Sequence, residues 1–383
     1  MKSISRRNFV NKLGVGLGSA AVLNALPSFI VPPDEALPYE GKKLNIAVCG
    51  LGIYGNLVAK ALQTSQYCTL AGIVTGTPAK AKEWKAKYNI AEKNIYNYTN
   101  FDKILSNKDI DLVYVTLPNS MHKEFTIRAA KAGKHVITEK PMATSVEDCK
   151  EMIKACSDAG VQLAVGYRLH YEPHNMEIKR LGQDKVFGPV RLVEASFAYK
   201  TYDTSKINET IDFNDHGKWR LNKELAGGGA LMDLGIYCIQ ASRYVQGLEP
   251  VAVTAQFGPV NNPKRFEQVE ETISWQMEFP GGAIANCTTS YGYFIDRVYA
   301  SADSGTFELS PAMSYGPLKG KTSKGELDLP IVNHQQAQLD GIGSVILANK
   351  KLPAHITGEE GLKDMNIITA IYEAARTGKR VVL

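Results

Sequence analysis

Apolar residues along the chain follow two rhythms. In the first, Leu44-Asn45-Ile46-Ala47-Val48-Cys49 is a short apolar run that reads as a strand, and Asn56 to Gln63 reads as a helix. Strand-like runs recur at Thr69–Val74, Asp111–Leu117 and His135–Thr138, with helical stretches at Ala79–Lys87 and Lys123–Ala132 between them. This alternation predicts βαβ units and a doubly wound parallel sheet, with ligands at the carboxyl ends of the strands. The second rhythm is strand after strand, several with period two: Arg191–Tyr199, Pro250–Gln256, Thr272–Phe279, Ala283–Ser290 and Arg297–Ala300. It predicts a large, mostly antiparallel sheet, one face over a cofactor cleft and the other free for a subunit interface. The expected fold is α/β: a Rossmann domain over residues 44–165, then an α+β domain over 166–383 whose last helix packs back on the first.

Length agrees, since 383 residues exceed the roughly 250–300 at which single cores stop growing. Net charge changes the picture at one end only. Of the formal +5, four charges are Lys2, Arg6, Arg7 and Lys12, with no acid before Asp34. The remainder is nearly neutral, which argues against nucleic acid or an acidic membrane as partner. Ser5-Arg6-Arg7-Asn8-Phe9-Val10 is a twin-arginine pattern, and the mildly apolar Leu13–Leu26 is too short to cross a bilayer. Residues 1–26 are therefore expected to be a signal for twin-arginine export to the periplasm, without a membrane anchor. Pro27, Pro32, Pro33 and Pro38 make residues 27–43 an extended arm. The six cysteines form no CxxC pair and sit mostly in apolar segments, so they read as buried thiols rather than a metal or disulfide framework.

The first strand runs into Gly50-Leu51-Gly52-Ile53-Tyr54-Gly55. Gly50 permits a tight turn, Gly52 lets backbone approach a pyrophosphate, and Gly55 allows close helix–strand packing. The second strand should end in the residue that reads the adenosine ribose. An acidic residue there favours NAD. Here Thr75-Gly76 offers no carboxylate, and Lys80 and Lys82 are near enough to neutralise a 2′-phosphate, although both also suit a solvated helix face. NADP is favoured over NAD.

The set GLGIYG, LPNSMH, GKHVITEKPMATS and GGGALMDLGIY, in this order, resembles the Gfo/Idh/MocA oxidoreductases, and most of all their glucose–fructose oxidoreductase branch. The similarity runs from about Ile46 to Val382, with Thr201–Gly217 departing from it. The resemblance implies a nicotinamide site at Glu139-Lys140-Pro141 with Lys140 at the reacting carbon. It also implies that Tyr237, four residues after Asp233, is the acid/base group where many relatives have histidine. Tyr98, His122, Arg168, Trp219 and Arg220 match positions lining the cofactor, and Leu117, Pro118 and Asn119, at the carboxyl end of a strand, are expected to bind it too. It further implies a homo-oligomer, dimer or tetramer, in which the proline arm lies on a neighbouring subunit.

Oxidising a sugar C–OH removes a hydride and a proton. Tyrosine, with an ordinary pKa near 10, needs a nearby cation to act as base, and Lys140 can supply it. Asp233 and Tyr237, at i and i+4, are expected on one helix face, and Gly227-Gly228-Gly229 before them suggests backbone close to ligand. His170 and His174 are also i, i+4, but Pro173 is expected to break the helix and no third ligand follows, so no metal is expected. The favoured function is a tightly bound NADP serving a sugar oxidoreductase. The alternatives are NAD-dependent glycoside modification and a non-catalytic sensor of sugar or cofactor.

Overall fold

The computed structural model describes residues 40–203, 212 and 215–383. The twin-arginine leader, the arm through Pro38 and most of Thr201–Gly217 lie outside the described residues.

The first half comprises β1 (Leu44–Cys49), α1 (Ile53–Leu62), β2 (Cys68–Val74), α2 (Pro78–Tyr88), β3 (Ile95–Tyr96), β4 (Leu112–Val115), α3 (His122–Lys131), β5 (His135–Thr138), α4 (Val146–Asp158) and β6 (Leu163–Val165). These six strands pair in parallel in the order β3-β2-β1-β4-β5-β6. The order reverses between β1 and β4, the place where sheets of this kind hold ligands in a crevice beyond the carboxyl ends of their strands. All four residues of β4 are buried, as expected of a strand covered on both faces. α1 begins at Ile53, ahead of the expected Asn56, because the glycine turn is itself the first turn of the helix: Asn56 N–H bonds the Gly52 carbonyl at 3.1 Å.

The second half begins with α5 (Pro173–Gln183) and β7 (Val190–Ala198). A π-turn over Leu231–Gly235 then leads into α6 (Ile236–Gln246). There follow β8 (Ala252–Phe257), β9 (Thr272–Glu278), β10 (Ile284–Ser290), β11 (Ile295–Ala302), β12 (Gly305–Leu309), β13 (Gly320–Thr322), β14 (Gly325–Leu327), α7 (His334–Leu347), α8 (Gly358–Thr377) and β15 (Val381–Val382). Pro173 does not break a helix but opens one. It sits where a helix has no use for a donor, and Glu172 caps the end by accepting from Asn175 N–H at 2.8 Å.

The second sheet runs β14-β13-β12-β11-β7-β10-β9-β8-β15, antiparallel except for the central β7–β10 pair. Cross-strand register aligns Val253, Met277, Ala285, Val193, Ala300 and Phe307 as one buried row. The adjacent row, Gln276, Asn286, Glu194, Tyr299, Glu308 and Lys321, is polar. The strands beyond β11 are too short for period-two alternation to reveal them. α8 packs on β8 and also on α4 and β6, so the last helix ties the two sheets together. All six cysteines are buried and free. No helix among the described residues is long and apolar enough to cross a membrane.

Candidate active site

The glycine turn is shaped by its neighbours. Gly50 has φ +107°, and a Cβ there would stand 2.8 Å from the Thr116 carbonyl oxygen, while one on Gly55 would stand 2.2 Å from the Gly50 oxygen. Both positions therefore require glycine. Gly52 differs: a Cβ would meet nothing within 4 Å, and no side chain caps the start of α1. The start of α1 is thus an open, uncapped cradle, which fits a phosphate pair. Ile53 is exposed and Tyr54 half-buried beside it. At the end of β2, Thr75 is buried and accepts from Thr77 N–H at 3.2 Å. Gly76 rests on the Tyr98 ring, which packs edge-on against Phe125, and Lys80 is exposed on the first turn of α2.

Two loops close the crevice from the β4 and β5 side. Leu117 and Pro118 lead into Asn119, whose amide donates to the Ala226 carbonyl at 2.8 Å. His122 is fully buried, its ring nitrogens 2.8 Å from the Leu117 carbonyl and 3.0 Å from that of Pro141. The ring ties the two loops together, so what it offers a ligand is their shape. Glu139 accepts from the Tyr114 hydroxyl at 2.6 Å, and Tyr114 accepts from Gln338 at 2.7 Å. Burial raises the Glu139 carboxyl to about 7, against the lowering pull of Tyr114 and Lys140.

The chemistry-bearing side chains meet at Lys140. Its ammonium donates to the Asp233 backbone carbonyl at 2.6 Å, lies 3.5 Å from the Asp233 carboxylate, and sits 4.5 Å above the Tyr237 ring centroid. The helix bearing Asp233 and Tyr237 is not α throughout. Asp233 lies in the π-turn and Tyr237 one residue into α6, yet both reach the same ammonium. π-turns recur at functional sites because they re-aim side chains. Burial alone would raise the Asp233 carboxyl. Arg220 at 3.0 Å, Lys140 and the Tyr291 hydroxyl at 3.0 Å outweigh that and hold it below the ordinary carboxylate range. Arg220 in turn stacks on Trp219, 4.4 Å from the ring centroid.

Arg168 is buried under the same tyrosine, 5.2 Å from the Tyr237 centroid and 4.3 Å from that of Tyr315. It donates to His334 Nδ1 at 2.7 Å and to the Met313 carbonyl, while its Nε has no partner among the described residues. Burial and the adjacent Arg168 lower His334 to about 4, so the ring is a neutral acceptor.

Two readings from sequence are refined here. Gly227–Gly229 are packed against protein. A Cβ on Gly228 would stand 2.0 Å from the Tyr372 hydroxyl, and one on Gly229 2.1 Å from the Glu270 carbonyl, so the close approach is to protein. His170 and His174 do not face one another. His170 Nε2 lies 2.9 Å from Gln240, whereas His174 is paired with Glu172 at 2.9 Å. Among the described residues no group of three or more His, Cys, Asp or Glu is arranged to hold a metal. Tyr291, Tyr315, His334, Tyr114 and Gln338 contribute to the site without any local pattern pointing to them, since each arrives from a distant element. Glu270 did leave a trace, as an acid pair with Glu271 at the mouth of an apolar strand.

Residues 44–167 match the oxidoreductase family model GFO_IDH_MocA, described as an NAD-binding Rossmann fold, and residues 175–307 match the GFO/IDH/MocA C-terminal domain. The fold superposes on the crystal structure of aldose-aldose oxidoreductase from Caulobacter crescentus with a TM-score of 0.83 at 41% identity, covering 89% of this chain and all of that one. The chain is also 28% identical to D-xylose 1-dehydrogenase [NADP(+)] of Haloarcula marismortui over 348 residues, 89% of this chain and 93% of the relative. To 1,5-anhydro-D-fructose reductase of Ensifer adhaerens it is 27% identical over 292 residues, 73% of this chain and 82% of the relative.

Proposed function

From the premise that this chain belongs to the Gfo/Idh/MocA oxidoreductases, we propose that it moves hydride between a retained NADP and a sugar. The observation that supports this best is the convergence of Lys140, Asp233 and Tyr237 at one point beyond the parallel sheet. The relatives named for aldose and xylose substrates point to a sugar. The cofactor reading rests on the uncapped start of α1 with its open Gly52 cradle, and on Thr75 with Lys80 in place of an acid. Gly50, Gly52, Ile53, Tyr54 and Gly55 would hold the pyrophosphate, and Thr75, Gly76, Lys80 and Tyr98 the adenosine end. Leu117, Pro118, Asn119, His122, Glu139, Arg168, Trp219 and Arg220 would line the rest.

When bound, the nicotinamide supplies the hydride acceptor. The work of this chain's own residues is to hold the sugar hydroxyl and move its proton. The Lys140 ammonium is placed to hydrogen-bond that oxygen and to stabilise negative charge as the O–H bond breaks. Tyr237 takes the proton, beside the cations of Lys140 and Arg168. Asp233 keeps Lys140 aimed, and Arg220 and Tyr291 keep Asp233 ionised.

The test is to purify the protein, identify any nucleotide released on denaturation, and follow the near-ultraviolet absorbance of reduced nicotinamide as aldoses are added. A release of NADP and a rise in absorbance are expected. NAD in the denatured supernatant, or no absorbance change with any aldose or related polyol, would refute the reading. We further propose export by the twin-arginine leader and an oligomeric mature protein. Replacing Arg6 and Arg7 by Lys should leave the protein in the cytoplasm.

A further inference from the structure

The packing of the glycine run leaves a buried carboxyl that the proposed chemistry does not use. Glu270 Oε2 accepts from Gly229 N–H at 2.9 Å, and Oε1 accepts from Leu231 N–H at 2.9 Å and from the Tyr372 hydroxyl at 2.9 Å. We infer that Glu270 and Tyr372 are positioning residues for the Lys140–Asp233–Tyr237 centre, clamping the turn from which Asp233 and Tyr237 project.

The start of a helix leaves several amides without partners, and a buried start must find them elsewhere. Glu270 satisfies two of them with one carboxylate, at the end where negative charge suits the helix dipole. The glycines make the clamp close. No side chain can stand at Gly228 or Gly229 without displacing Tyr372 or Glu270. Two residues beyond Leu231 is Asp233, whose backbone carbonyl is bonded by Lys140. A displacement of this turn therefore carries the carbonyl, the carboxylate and Tyr237 away from the ammonium together. The clamp is itself fixed from far away, because Tyr372 lies on α8, which packs against elements of both sheets. Burial raises the Glu270 carboxyl, opposed by the amides of Leu231 and Gly229 and the Tyr372 hydroxyl, so the group is costly to keep and its partners are what retain it.

The inference rests on the proposed role of Lys140, Asp233 and Tyr237, and its test separates the two. Glu270→Gln places a donor against one of the two amides, and Tyr372→Phe removes only the third bond. Misplacement by about 1 Å costs on the order of 10²-fold in rate. Single-turnover hydride transfer should thus fall about tenfold to a hundredfold in Glu270→Gln and less in Tyr372→Phe, with little change in sugar KM. The double variant should be less than additive, because both changes act through one carboxylate. If both variants are less stable yet transfer hydride at the wild-type rate per bound cofactor, the clamp is merely structural and the inference fails. Crystal structures decide it independently of turnover. Lengthening of the Lys140–Asp233 carbonyl contact in Glu270→Gln supports the clamp, and an unchanged 2.6 Å contact overturns it, whether or not the wild type oxidises any sugar.

Discussion

The two halves of the molecule build their share of the site by different means. In the parallel half, the surfaces proposed to meet a cofactor are largely backbone: a turn of glycines, a helix start, and the loops after β4 and β5. Their geometry is set within a few residues, as when a Cβ on Gly55 would strike the Gly50 oxygen. The working groups, Lys140 after β5 and Asp233 and Tyr237 in the antiparallel half, are side chains, and they are aimed from afar. Asp233 is held by Lys140, Arg220 and Tyr291, which come from three separate stretches of chain. A backbone site tolerates surface change but not an added Cβ. A side-chain site tolerates neither loss of a partner nor movement of the helix that bears it.

The largest expected effect lies in the side-chain half. Tyr237→Phe keeps the ring against Lys140 and Arg168 and removes only the hydroxyl, and should slow hydride transfer about 10²–10⁴-fold with the fold and bound nucleotide intact. A wild-type rate in stopped-flow would break the assignment.

Next comes the buried carboxyl between the halves. Because burial raises Glu139 from its ordinary 4.5 to about 7, the folded protein holds that proton more tightly than the unfolded chain. The stability it contributes is complete below about 4.5 and is lost as pH rises through about 7, a span of roughly 3 kcal/mol. Thermal unfolding at stepped pH should show this decline in the wild type and a flatter curve in Glu139→Gln. Parallel curves would mean the carboxyl is not the group responsible.

In the backbone half, Gly50→Ala forces a side chain into a positive φ against the Thr116 carbonyl and should cost about 2 kcal/mol together with loss of retained nucleotide. Unaltered melting and nucleotide content would show that the turn can relax. The smallest effect is expected from Thr75→Asp, which adds a negative charge where the proposed NADP carries its 2′-phosphate. Titration of both nucleotides should show preference moving toward NAD by about tenfold, or about 1.4 kcal/mol. An unchanged ratio would place the phosphate elsewhere.

The parallel half was legible because its determinants are local. Strand, glycine turn and helix follow one another in sequence, and β5 matches its expected bounds of His135 to Thr138. The pair Asp233 and Tyr237 was legible only through the motif they share with relatives. By periodicity Tyr237 is an ordinary amphipathic position, and the π-turn that re-aims Asp233 has no composition of its own.

By itself the sequence determined the two folding rhythms, the three glycines of the turn, the absence of an acid after β2, and the residue types from which an acid/base centre can be made. Each follows from chemistry within one or two turns of chain, where steric and periodic rules act directly. Only the tertiary structure decided that Gly228 and Gly229 press on Tyr372 and Glu270 and that His122 joins two loops. It also decided that Pro173 opens a helix and that Arg168 lies under Tyr237 with His334 behind it. Those facts join residues up to 166 positions apart, as Arg168 and His334 are. Nothing in the local pattern encodes such pairings, because they are set by which buried faces the whole chain must bring together.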